Sequence, residues 1–267
     1  MPTASVNGIT LNYLLEGPDD AETIVLVNGL ADDLESWGYQ VPAFLDAGFR
    51  VLRFDNRGIG ASDKPEGPYT SRMLADDAKG LVDQLGLTDF HLMGVSMGGM
   101  VAQEYAVAYG ADLRSATFAC TYGVPDPFCQ QMFGMWADLA RAVDVNFVMR
   151  DVMLWAFTGP FFEERPEEAA EFNEGMASAD LPLAPYLSQL NVIQQHDTTD
   201  RLATVDVPTL VLAGEEDILI PVRLSRRLHE AVPGSTWATV PGGHACIWET
   251  PDPFNEAFLD FVRSHAR

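Results

Sequence analysis

The sequence predicts an α/β protein: a mostly parallel, twisted sheet with helices on both faces and a helical insertion past its middle. Three observations carry this expectation. Short apolar runs without alternation recur along the chain, as in strands buried on both faces. Segments with helical spacing of apolar residues separate most of these runs, which implies parallel strands joined by crossover helices. One interval, from about Tyr122 to Arg201, has no convincing buried strand and is far too long for a plain loop.

The chain opens on an antiparallel hairpin. Asn7-Gly8 is a favoured two-residue turn, and Ile9, Leu11, Tyr13 and Leu15 then alternate with Thr10, Asn12 and Leu14. After the turn residues Gly17 to Asp20 the pattern changes to the unalternating run Thr23–Val27. Similar runs follow at Arg50–Phe54, Phe90–Val95, Ser115–Cys120, Thr209–Ala213 and Ser235–Val240. Between them, Met73, Leu74, Ala78, Leu81, Val82 and Leu85 keep helical spacing. Met97 to Ala108 is apolar nearly all round and stops at Gly110, so it predicts a buried helix. Pro221 opens a helix with Leu224, Leu228 and Ala231. Asp252-Pro253 supply the cap and first turn of a last helix bearing Phe254, Phe258, Phe261 and Val262.

Within the insertion, Met132, Met135, Trp136 and Leu139 sit at helical spacing, followed by Phe147, Met153, Trp155, Phe157, Phe161 and Phe162. Glu163, Glu164, Glu167, Glu168 and Glu171 read as one solvated helix face. The expected division is therefore a core in two parts, 1–121 and 202–267, with a helical cap at 122–201.

Composition narrows the function. A hydrophobic fraction of 47% suits a substantial core, and no apolar run approaches the length that spans a bilayer. The start MPTASVNGIT lacks the pattern of a secretory signal, so a cytoplasmic location is expected. The three cysteines do not make a disulfide framework, and Cys246 reads either as a packing residue or as a reactive thiol. The net charge of −23 argues against nucleic-acid and membrane-surface partners and favours a neutral small-molecule substrate.

The chemistry begins at Gly94-Val95-Ser96-Met97-Gly98, which ends a predicted strand and opens a predicted helix. In that context a G-x-S-x-G pentapeptide lifts its serine above the sheet on a strained turn. A serine hydroxyl needs a base. Of the five histidines, His91 begins a strand, His229 lies on a helix, His265 is in the tail and His196 is near the end of the insertion. His244 follows the last strand in a Gly-rich loop at the sheet edge where such folds place ligands, although a loop histidine can also simply bond to backbone. As the base it would titrate near an ordinary value of about 6.5.

The base in turn needs a carboxylate. Asp217 lies just past the strand Thr209–Ala213, close to Glu215 and Glu216, and Asp126 is an alternative after an earlier strand. Two backbone N–H groups are expected to hold an oxyanion, those of Met97 and of Leu30 in the loop Asn28-Gly29-Leu30. Met132, Trp136, Met153 and Trp155 are candidates to touch substrate. No metal or organic cofactor is implied.

These residues resemble the α/β-hydrolase superfamily over nearly the whole chain. Asp55-Asn-Arg-Gly-Ile-Gly-Ala-Ser62 is similar to its D-x-R-G-x-G-x-S loop, and Gly94 to Gly99, Gly214 to Asp217, Gly243-His244 and Glu249 to Pro251 follow in family order. The insertion corresponds to the helical cap. Within the superfamily the chain looks most like bacterial carboxylesterases and lactonases of the 3-oxoadipate enol-lactonase and acyl-homoserine-lactonase kind. That resemblance implies hydrolysis of an ester or lactone through Ser96, Asp217 and His244. Serine at 96 argues against haloalkane dehalogenases and epoxide hydrolases, which carry aspartate there, and against dienelactone hydrolases, which carry cysteine. Asn28-Gly29 departs from the usual His-Gly, which weakens assignment to carbon–carbon bond hydrolases. A cofactor-free perhydrolase or haloperoxidase would use the same three residues, and a ligand receptor could retain them with very slow turnover.

Overall fold

The computed structural model describes residues 1–179 and 181–266. Its opening hairpin pairs β1 (Thr3–Val6) with β2 (Ile9–Glu16) in antiparallel register, Val6 opposite Ile9. Asn7 and Gly8 between them have φ of 48° and 79°, the two left-handed residues that such a tight turn demands. Then come β3 (Thr23–Val27), α1 (Gln40–Asp46), β4 (Arg50–Phe54), α2 (Ser71–Gln84), β5 (Phe90–Val95), α3 (Met97–Tyr109) and β6 (Leu113–Ala119). The insertion follows as α4 (Pro127–Ala142), α5 (Val145–Ala156), α6 (Gly159–Glu164), α7 (Pro166–Ser178) and α8 (Leu183–Gln195). The chain closes with β7 (Thr209–Gly214), α9 (Val222–Ala231), β8 (Thr236–Val240), α10 (Cys246–Glu249) and α11 (Pro251–Arg263).

Among the described residues the strands form one eight-stranded sheet in the order β1-β2-β4-β3-β5-β6-β7-β8. β2 joins β4 antiparallel, and every pairing from β4 through β8 is parallel. The unalternating strands are explained by two cores. In β3, Ile24 and Leu26 enter the layer formed with α1 and α11, whereas Val25 and Val27 enter the layer that contains α2, α3, α9 and the insertion. Because both faces are covered, alternation carries no inside–outside signal.

Some boundaries differ from expectation. The last helix begins at Pro251, with Thr250 before it, so Asp252 lies in the first turn instead of capping it. The acidic run is not one face: the chain breaks at Arg165, and the glutamates divide between α6 and α7. Proline at 166 has no N–H for a continuing helix and so starts a new one. Among the described residues no helix is long and apolar enough to cross a membrane. The parallel arrangement sends the loops after β3, β5, β7 and β8 out of one edge of the sheet, beneath the insertion that follows β6.

Candidate active site

Ser96 stands between β5 and α3 with φ 56° and ψ −118°, a conformation that a residue with a side chain adopts only under constraint. Two glycines impose it. A Cβ at Gly94 would lie 2.0 Å from the Gly98 carbonyl oxygen, and one at Gly98 would lie 2.0 Å from that of Val27. Glycine at these two places lets β5 turn sharply and seats the start of α3 against the end of β3. Met97 is the first residue of α3, so its N–H has no intrahelical acceptor, while its side chain is wholly buried.

Asp217 and His244 come from neighbouring loops, after β7 and β8. Asp217 is 4% exposed, and both of its carboxylate oxygens are engaged. Oδ1 accepts from the Ile220 N–H at 2.8 Å and Oδ2 accepts from His244 Nδ1 at 2.8 Å. The carboxylate partner assigns the proton to Nδ1 and leaves Nε2 as the other ring nitrogen. The histidine loop is fixed from the insertion side. Gly243 N–H donates to Glu249 Oε2 at 3.0 Å, Thr158 donates to Glu249 Oε1, and Ala245 N–H donates to the Ala156 carbonyl at 2.9 Å. Burial pushes the His244 imidazole down, but the Asp217 charge and hydrogen bond, with smaller contributions from Cys120 and Asp32, outweigh it and raise it to about 9. The unperturbed titration expected from the sequence is thereby displaced upward.

Asp126 is occupied elsewhere. It caps α4, accepting from Cys129 N–H at 2.9 Å, and pairs with Arg223. Glu215 and Glu216 are exposed, Glu215 accepting from Thr239. His196 is buried against Ser71 and Gln103, and burial pushes it down to about 3. His91 is sealed at the start of β5 beside Ser115. The three cysteines are free and buried, with Cys246 Sγ 3.5 Å from Cys120 Sγ, so Cys246 is a packing residue. Among the described residues, the grouping that resembles a metal site is Cys120 with Asp217 and His244. Two of its three members are already bonded to each other.

Ser96 and His244 line one cavity of about 70 Å³, with Leu30 and Asp32 from the loop after β3. That loop is anchored by Asn28, which donates to the Phe54 carbonyl at 3.0 Å and accepts from Trp37 Nε1 at 2.5 Å, and by Asp55, whose Oδ1 accepts from Leu34 N–H at 2.8 Å. Asp55 belongs to the D-x-R-G-x-G-x-S segment, whose Arg57 meets buried Asp77 at 2.7 Å. Of the four substrate-contact candidates, Trp136 and Met153 line the cavity. Met132 and Trp155 do not. Met132 is packed in the core, and Trp155 lies edge-on to Phe128 while donating to Asp151 at 3.2 Å. Sequence reasoning passed over Met100, Phe133, Met149, Met176, Ile193 and Trp248, which complete much of the wall from six different helices.

A serine held at a strand-to-helix turn, an aspartate–histidine pair on adjoining loops and an apolar cavity beneath a helical insertion define a hydrolase. The chain belongs to the α/β hydrolase fold family, whose pattern matches residues 22–251. It is 28% identical over 255 residues to 3-oxoadipate enol-lactonase 2 of Acinetobacter baylyi, covering 96% of this chain and 94% of that one. Its structure resembles an enol-lactonase from Burkholderia xenovorans LB400, with a TM-score of 0.90, 30% identity and coverage of 98% and 100%. It also resembles a bromoperoxidase from Bacillus anthracis, with a TM-score of 0.88, 26% identity and coverage of 98% and 99%.

Proposed function

We propose that the protein is a serine hydrolase of carboxylic esters or lactones with small, largely apolar acyl groups, working through an acyl-enzyme. The observation that carries the reading is the 2.8 Å bond from His244 Nδ1 to Asp217 Oδ2, made by a histidine that shares its cavity with Ser96. With Nδ1 committed to the carboxylate, Nε2 is the atom that takes a proton from the serine hydroxyl. Ser96 Oγ then adds to the carbonyl carbon, and the N–H groups of Met97 and Leu30 receive the charge that develops on oxygen. Nε2 returns the proton to the leaving alcohol as the C–O bond breaks. Water, deprotonated by the same nitrogen, releases the acid and restores Ser96.

The wall supports the substrate class. Apart from Ser96, His244 and Asp32 it is made of aliphatic, aromatic and methionine side chains, with no lysine or arginine among the described residues, and suits an uncharged acyl group. Its volume of about 70 Å³ is well below the roughly 300 Å³ typical of pockets for larger ligands, which favours short chains. The likeness to enol-lactonases supports lactones beside open esters. In a lactone the released alcohol stays tethered to the acyl group and must swing aside before water attacks.

The bromoperoxidase likeness supports one alternative, in which peroxide replaces water in the second step. A panel of p-nitrophenyl esters, acyl-homoserine lactones and enol-lactones, run with and without hydrogen peroxide, tests both. Ester or lactone turnover without peroxide, lost in Ser96→Ala, is the expected result. Turnover that survives in Ser96→Ala overturns the mechanism.

A further inference from the structure

The wall of the Ser96–His244 cavity carries one ionisable side chain besides His244 among the described residues, and it is Asp32. The mechanism above does not use it. The chain is bent and pinned to bring it there. Ala31 has φ 62°, left-handed and unusual for alanine, and its N–H donates to Gln189 Oε1 at 3.0 Å while Gln189 Nε2 donates to the Arg57 carbonyl at 2.9 Å. From the core side, Asn28 Nδ2 donates to the Asp32 carbonyl at 3.2 Å. A Cβ built on Gly29 would lie 2.6 Å from Asp32 Oδ2 and 3.7 Å from Ser96 Cβ, so carboxylate and serine flank the same small space.

Asp32 also marks the way out. With Met176 it lines both the cavity and an outer groove between the loop after β3 and α7. The charged groups that face it are Asp33 beside it on the chain, His244 across the cavity, and Glu35, Glu168 and Glu171 around the groove. No lysine or arginine lines either space among the described residues.

We infer that Asp32 is a specificity-determining residue of the hydrolase proposed above: its carboxylate bars substrates whose leaving group carries a negative charge and reserves the site for uncharged esters and lactones. The inference rests on that ester-hydrolase reading. Two like charges about 6 Å apart at an effective dielectric of about 20 disfavour binding by about 10²-fold. Burial and the neighbouring Asp33 push the Asp32 carboxyl up to about 7 against the pull of His244. The exclusion therefore strengthens as pH rises from about 6 to about 8.

The test uses 4-acetoxybenzamide and 4-acetoxybenzoate, which share a short acyl group and differ in the charge of the leaving phenol. At pH about 8 the wild-type kcat/KM for the amide should exceed that for the benzoate by about 10²-fold, and the ratio should shrink at pH about 6. Asp32→Asn should bring the ratio at the higher pH to within a few-fold of one. Reading the ratio cancels any common change in rate. Should Asp32→Asn fail to fold, Asp32→Ser and the wild-type pH series read the same ratio. A wild-type ratio near one, or a ratio untouched by either substitution, overturns the inference. If the wild type turns over neither ester, the hydrolase reading fails on its own. Asp32 is then judged by the binding of 4-hydroxybenzamide and 4-hydroxybenzoate, followed through Trp136 and Trp248 fluorescence. Preference for the amide that disappears in Asp32→Asn sustains the exclusion, and equal affinity refutes it.

Discussion

Replacing Asp217 by asparagine keeps the shape of the site and removes the charge that holds His244 protonated. In the intact protein that imidazole is raised from 6.5 to about 9, even though burial pushes it the other way. At about 1.4 kcal/mol per unit, the shift amounts to roughly 3 kcal/mol of preference for the charged ring. The acid limb of kcat/KM for p-nitrophenyl acetate should therefore sit well above 6.5 in the wild type, because in the proposed mechanism only neutral His244 accepts the serine proton. In Asp217→Asn burial dominates, so the limb should move below about 6.5 while kcat falls by about 10³- to 10⁴-fold. The assay is the full pH profile of both proteins, with circular dichroism confirming the fold. A limb that stays in place after the substitution would refute the electrostatic account of the pair. So would a wild-type rate that is flat between about pH 5 and 8. The same pair gives stability a sign. A histidine raised on folding contributes fully below 6.5, and that contribution is lost as pH rises through about 9.

Four further outcomes are expected. Ser96→Ala should lower kcat by at least about 10³-fold, whereas Ser96→Gly should be equally inactive yet more stable by about 1 kcal/mol in denaturant titration, since glycine relieves the positive φ. Gly98→Ala should destabilise by at least 1 to 3 kcal/mol, roughly, and impair turnover, because its methyl would collide with the Val27 carbonyl oxygen. Trp136→Ala, by enlarging the small cavity, should move the optimum of a p-nitrophenyl ester series toward longer acyl chains. An unmoved optimum would place the acyl group elsewhere. Asp32→Asn should raise the melting temperature at pH about 8 and change it little at pH about 4. A carboxyl raised from 3.8 to about 7 withdraws stability as pH climbs through that window.

How much of this was legible before folding depends on what fixes each feature. Ser96, His244 and Asp217 could be placed at one sheet edge because parallel strands send every following loop out of the same side, and chain order then locates each residue. Gly94 and Gly98 were legible from the pentapeptide itself, although only the approach at Gly94, to the Gly98 carbonyl, is local; the one at Gly98 is to Val27 on another strand. The substrate wall was not. α4 and α5 bury one face on the cavity and pack other apolar residues among themselves, so Met132 and Trp136 look alike in sequence although one is core and the other is wall. Helical spacing says which residues share a face but not what that face meets. The same blindness hid Asp32. In sequence it is one acidic residue beside Asp33 in a loop with a surplus of negative charge. Its significance comes from the left-handed Ala31 before it and from Gln189, more than 150 residues away, which holds that turn in place. A carboxylate that the fold places at the Ser96–His244 cavity through long-range hydrogen bonds, and that burial makes costly to ionise, is better explained by the proposed effect on substrates than by the stability it withdraws.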